Sequence, residues 1–300
     1  MKWSTLGKVA IYVFLISAGL IFIYPLLYIV LGSFTTQAEY LRTRYIPMPG
    51  RIRLSEYRTL FELGGGELVP ALRVTLIREA WFITLGVVVS LLGGYAFSRL
   101  RFPGRDFLFM VFLTGLMVPG MLISLPVYMI MVHFPLAGGN NILGMGGEGF
   151  LNSWGALLVL GMIPVFSVFL LKQNFDMLPF EYEEAAVMDG AGLFTILFRI
   201  YVPMLKPVLV VIIVQTFIGT WNEYFMPMLL VARRADLTPL AVALQRMIAR
   251  YAMAAGQGVG MPRFGLIFAS GTLMCAPPIL LYVLMQRYFV QGLVGIGIRA

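Results

Sequence analysis

Leu178-Pro179-Phe180-Glu181-Tyr182-Glu183-Glu184-Ala185-Ala186-Val187-Met188-Asp189-Gly190-Ala191-Gly192 joins two long apolar windows and does not read as an ordinary turn. Pro179 suits a first helical turn, where its missing N–H costs nothing. Glu181, Glu183 and Glu184 place negative charge at the positive end of the helix dipole. Ala185 and Ala186 favour helix and add almost no bulk. Gly190 can take the left-handed conformation that ends a helix. A second helix is expected to follow, with Leu193, Ile196, Leu197 and Ile200 in one stripe and Arg199 and Lys206 outside it. That pattern suits a helix on a membrane interface, closed by Pro203 and Pro207. Taken alone, an acidic first turn and a glycine stop describe a common loop helix.

Outward from this elbow the chain is built for lipid. Apolar residues make up 60% of it and charged residues only 12%, against about 25% charged in soluble domains. Six apolar windows, 9–31, 80–97, 107–131, 153–171, 207–231 and 264–286, are read as spans of a hydrocarbon core about 30 Å thick. The first follows Lys2 and Lys8, yet its apolar stretch is too long for a signal peptide and no small-residue cleavage site follows. The expected fold is all-α, a polytopic membrane protein with six transmembrane helices. Between the first two windows lies a polar connection, 33–79, with Pro47, Pro49 and Gly64-Gly65-Gly66; a Gly/Asn-rich stretch, 138–149, separates the third and fourth. Pro25, Pro119, Pro126, Pro164 and Pro277-Pro278 fall within spans. They imply either kinked helices around a path or merely bent packing.

The net charge of +8 comes from basic residues in the connections, without a run or a nucleic-acid motif. Contact with anionic lipid headgroups explains it, and no nucleic-acid partner is expected. An even span count puts both termini on one side. All four lysines, Lys2, Lys8, Lys172 and Lys206, and the compact loop with Arg99, Arg101 and Arg105 then fall on the cytoplasmic side, although twelve arginines fall opposite. Short loops weigh most in this rule. Cys275 and His133 are single residues of their kinds, so no metal site or disulfide framework is expected.

The order Glu184-Ala185-Ala186, then Asp189-Gly190-Ala191-Gly192, then Ile200, Pro203 and Pro207 resembles the "EAA" signature of permease subunits in bacterial binding-protein-dependent ABC importers. Trp221-Asn222-Glu223-Tyr224 followed by Pro227 looks like the W-N-E-[FY] segment of carbohydrate-importer permeases. The tail from Gln286-Arg287-Tyr288 to Leu293 resembles the C-terminus of the second permease of maltose-type systems, whereas 294–300 depart from the usual small-residue, lysine-ending pattern. The resemblance implies a type I ABC importer permease fold. Residues 1–32 would form an N-terminal transmembrane helix and 33–79 an external connection. Residues 80–286 would form the ABC transporter type-1 transmembrane domain, including a coupling-helix loop at 172–206, and 287–300 a cytoplasmic tail. It implies an inner-membrane, non-catalytic permease of a sugar importer that docks on a cytoplasmic ATPase through the elbow. The implied partners are a second, non-identical permease, two ATPase subunits that bind ATP and Mg, and an external sugar-binding protein.

Glu223 reads as the one ionisable residue inside a span, where such a residue is costly and marks function by default. It could wall the translocation path, meet the other permease, or be a paired structural carboxylate near the external boundary. Trp221 could stack on a sugar or anchor the interface. An ion-coupled secondary transporter is the alternative, but it calls for similar halves and several mid-membrane acids. An intramembrane enzyme would need paired acids, a Ser/His arrangement or a metal cluster. No Walker-type glycine loop provides for ATP hydrolysis.

Overall fold

The computed structural model describes residues 5–42, 47–64, 66–256 and 263–297, and the regular structure among them is helical. In chain order the helices are α1 (Thr5–Gly32), α2 (Gln37–Arg42), α3 (Ser55–Leu63), α4 (Leu68–Arg99), α5 (Arg105–Thr114), α6 (Ser124–Val132), α7 (Trp154–Val159) and α8 (Val165–Asp176). They continue as α9 (Glu181–Met188), α10 (Leu193–Thr195), a π-helical turn (Ile196–Tyr201), α11 (Val202–Met204), α12 (Lys206–Asn222), α13 (Phe225–Leu230), α14 (Leu240–Gly256) and α15 (Phe264–Gly297). Two compact units result, one from Met1–Leu68 with Ala243–Pro277, the other from Val69–Val242 with Pro278–Ala300.

In the first unit α1 is apolar all round, with Phe14, Ile21 and Phe22 exposed, as a lipid-facing helix should be. Its end is tied by aromatics: Tyr28 meets Phe268 edge-on at 5.6 Å and Tyr40 lies 4.7 Å from Phe264. Thr36 and Glu39 form a reciprocal capping box on α2, the Thr36 amide donating to the Glu39 carboxylate at 2.9 Å and the Glu39 amide to the Thr36 hydroxyl at 3.3 Å.

The second unit departs from the window reading in a regular way. Among the described residues three helices are long and apolar enough to cross a membrane, within Gly7–Gly32, Leu68–Arg99 and Phe264–Arg287, and the pair Leu193–Met204 and Lys206–Asn222, bent by 83°, passes together. The third, fourth and fifth windows are instead broken. The helices α5, α7 and α12 have C-caps at Gly115, Leu160 and Glu223, each four positions ahead of a proline: Pro119, Pro164 and Pro227. A proline cannot donate to the carbonyl four residues back and its ring collides with it, so the helix stops there. Pro25, Pro277 and Pro278, by contrast, lie inside continuous helices.

The expected connection 33–79 is also shorter than its charges suggest. The helix α4 begins at Leu68, so Arg78 and Glu79 lie inside a candidate span. They end an uncharged window without ending a helix. Lower down, α4 meets α8 at closest approach. A Cβ added at Gly94 would sit 2.8 Å from the Leu171 Cβ, and one at Gly93 3.2 Å from Val168. Small residues at such a crossing let two backbones pack directly. Beside it Leu91, Tyr95, Leu171, Phe175, Leu197 and Tyr201 form a buried core.

Candidate functional site

The three breaks face one another. Leu116 and Gly120 from the first, Leu160 and Gly161 from the second, and Gly219 and Glu223 from the third line a cavity of about 450 Å³. Phe82 and Gly86 of α4 complete the wall. Irregular backbone at membrane depth persists only where it is buried in protein or borders a wet cavity, and these breaks line a cavity within the protein. The volume lies in the range of small-molecule sites.

Of the four residues in the Trp221–Tyr224 string, only Glu223 lines that cavity. Trp221 is buried, its ring stacked on Phe217 at 5.4 Å, and it is not part of the cavity lining. Asn222 is exposed and turns back to donate to the Ile218 carbonyl at 2.9 Å, and Tyr224 is exposed. The break explains this division: Glu223 is extended while Trp221 still belongs to α12.

Glu223 is not alone in its span region, as its window suggested. It accepts a hydrogen bond from Arg78, whose side chain is only 2% exposed while that of Glu223 is 40% exposed. Arg78 also lies over the Phe82 ring at 5.7 Å. Glu79 is buried next to it, and neither of its carboxylate oxygens has a hydrogen-bond partner among the described residues. Sequence reading missed Arg78 and Glu79 because uncharged-window logic assigns such residues to a loop. The usable signal was the helical apolar spacing on both sides of them, Val74 and Phe82 being buried.

The elbow forms with Gly190 at φ +78°, and nothing would stand within 4 Å of an added Cβ there. The Gly190 amide donates to the Val187 carbonyl at 2.9 Å and the Ala191 amide to Ala186 at 2.9 Å, closing α9. Ala186 is buried; Glu184, Ala185, Asp189, Gly190 and Gly192 are exposed and Ala191 half-buried. Exposed Val187, Met188 and Phe194 give the outer surface an apolar character.

One acid of the first turn has another task. Glu183 turns inward and accepts hydrogen bonds from Tyr95 and Tyr201, both at 2.8 Å. Arg99 lies 4.0 Å from it and donates to the carbonyls of Phe175 and Leu178, both at 2.7 Å, where α8 gives way to the elbow. Its guanidinium also sits over Phe180 and Tyr201 at 5.1 and 5.3 Å. The elbow is thus pinned to the base of α4. Arg99 looked like one more loop charge in the sequence.

The return helix differs from the expected α-helical stripe. The π-helical turn buries Ile196, Leu197 and Tyr201, while Leu193 is exposed and Ile200 half-buried. Pro203 cannot bond the Arg199 carbonyl, and a wider turn accommodates that loss. Residues five apart then share a face, so Tyr201 reaches Glu183. At the far end Gln286 and Arg287 are exposed on α15, which continues through 287–297. The Tyr288 side chain and residues 298–300 lie outside the described residues.

Residues 83–295 match the family described as binding-protein-dependent transport system inner membrane component. The chain belongs to that family. The match takes in the elbow and the cavity lining apart from Phe82. Among relatives of this transport family, the chain is 30% identical to an sn-glycerol-3-phosphate transport system permease protein of Brucella melitensis, covering 93% of each. It is 26% identical to an arabinooligosaccharides transport system permease protein of Halalkalibacterium halodurans, covering 92% of this chain and 91% of that one. A lactose transport system permease protein of Rhizobium radiobacter is also 26% identical, over 93% of this chain and 92% of that one. In fold it resembles a bacterial ABC transporter involved in the import of the acidic polysaccharide alginate, with a TM-score of 0.76 at 23% identity, over 96% of this chain and 99% of that one.

Proposed function

We propose that this chain is one of two non-identical permease subunits of an ATP-driven carbohydrate importer, walling half of its path. The observation that carries this reading is the elbow: a short helix ended by a left-handed glycine, exposed outside and pinned inside by Glu183 and Arg99. In this reading Glu184, Ala185, Ala186, Asp189, Gly190, Ala191 and Gly192 form the docking surface for a cytoplasmic ATPase, which binds ATP and Mg. An external sugar-binding protein delivers the ligand, and both termini are cytoplasmic. Gln286, Arg287 and Tyr288 lie on the same cytoplasmic side. The family match favours this reading over an ion-coupled secondary transporter.

The helix α4 supplies the mechanical link. It carries Arg99 and Tyr95 at the elbow and Phe82 and Arg78 at the cavity, about 30 Å apart at 1.5 Å per residue. Closure of the ATPase pair moves the elbow, the elbow moves α4, and α4 shifts the cavity wall and the Arg78–Glu223 pair. Each ligand then biases one two-state element at a distance.

Gly190→Val tests the assignment. A side chain at φ +78° is strained by about 1–2 kcal/mol, and with open space around it the added bulk meets only a partner. The variant should insert near normally, lose ATPase pull-down in detergent, and lose uptake normalised to membrane abundance. Normal pull-down with normal uptake would sink the elbow assignment.

A further inference from the structure

We infer that this chain itself carries a ligand subsite in the cavity, and that it takes an uncharged polyhydroxylated ligand and rejects anions. The inference rests on the importer reading and deepens it, because relatives in the same family move both charged and uncharged cargo by name.

The wall combines two kinds of surface. Phe82, Leu116, Ile123, Val127 and Met226 give it apolar area suited to the C–H faces of a sugar. On the opposite side α12 presents Gln215, Thr216 and Thr220, whose side chains make no hydrogen bond among the described residues. Thr220 is only 9% exposed and lines the cavity, so its side chain adds to the few placed polar groups of the wall. Glu223 stands one turn further on, an acceptor for ligand hydroxyls.

The charges decide the ligand class. Among the described residues no lysine, arginine or histidine lines the cavity, and the one charged lining group is the Glu223 carboxylate. Arg78 is buried behind it and already donates to that carboxylate. A phosphate or uronate would enter a low-dielectric space with no counter-charge, facing a carboxylate. For a cation the one charged lining group, Glu223, is already engaged by Arg78, and the Glu79 carboxylate beside Arg78 does not line the cavity. Hydroxyls meet neither penalty, and a few placed polar groups in an apolar pocket are what orient such a ligand.

A single cysteine decides it. Thr216→Cys with Cys275→Ser, in the assembled importer in nanodiscs, is treated with a neutral hydroxyethyl and an anionic sulfonatoethyl methanethiosulfonate. Rates are normalised to those of each reagent with free cysteine in solution. The anionic reagent should react at least about tenfold more slowly than the neutral one, the scale of field focusing in a lined cleft. A panel of lactose and an arabino-oligosaccharide at high concentration should slow the neutral reagent, whereas glycerol 3-phosphate should not. Equal reagent rates, protection by glycerol 3-phosphate, or protection by none of the three would each overturn the subsite. ATPase pull-down on the same samples stays intact in those cases, so the importer reading falls only by the Gly190→Val test.

Discussion

Arg78 and Glu223 exchange one ion-paired hydrogen bond at the edge of the cavity, and Arg78 has no exposure to fall back on. Glu223→Leu leaves the guanidinium buried and unpaired, which costs about 3–5 kcal/mol. Adding Arg78→Met removes the orphan and should recover most of that loss, read as thermal stability in detergent. If the double variant melts no higher than the single one, the pair is not a coupled unit. Glu223→Gln keeps an acceptor for Arg78 and should be the mildest change of the three. At the elbow, Tyr201→Phe deletes one donor to Glu183 and should cost about 1 kcal/mol. Loss of ATP-dependent uptake beyond the fall in protein level would mean that the clamp carries motion as well as stability.

The helices themselves are punctuated by proline in two ways, broken at Pro119, Pro164 and Pro227 and continuous at Pro25 and Pro277-Pro278. Both kinds were visible as residues in the sequence. Which would break was not, because that depends on whether a cavity or a packed neighbour receives the freed carbonyl. Gly190 was legible since a helix stop before a reversal needs positive φ, and the structure has it there. The inward turn of Glu183 was not legible, since its partners Tyr95 and Tyr201 come from distant elements. Pro227→Ala should let α12 run on through Glu223. Stability should hold or rise while uptake falls, and an unchanged uptake rate would make the break incidental. Gly94→Ala pushes a Cβ to 2.8 Å from Leu171 and should destabilise by about 1–3 kcal/mol through overpacking. Gly120→Ala, with open space around it, serves as the control.

For the whole molecule the sequence conveyed the solvent and the family more readily than the route through it. Lipid as solvent follows from composition alone, and the elbow string points to the family without any knowledge of packing. Segments long enough to span were legible as windows, but a window records hydropathy and not backbone continuity, so the broken pairs α5/α6, α7/α8 and α12/α13 read as single helices. The charged residues inside α4 were misplaced for the converse reason: burial of Arg78 against Glu223 hides a charge that a window must count. Orientation is tested with Val187→Cys in a Cys275→Ser background, which should label with impermeant maleimide only from the cytoplasmic face. Labelling in intact cells would reverse the topology and remove the elbow from reach of any ATPase.

The three interrupted helices also imply an unusual pattern of amide hydrogen exchange. In a bilayer an unbroken helix shields its N–H groups twice, by its own bonds and by dry surroundings, so deep amides exchange only as the structure opens. Each proline-set break starts a new helix whose first amides lack intrahelical acceptors. The amides at 120–121 and 161–163, which lie in the breaks, and at 224–226, where α13 opens, should therefore take up deuterium from water in the cavity within seconds to minutes. The amides of α4 at comparable depth, 80–90, should stay protonated for hours. Exchange would then trace a wet column through otherwise sealed protein, and its width should change with the nucleotide state of the assembled complex.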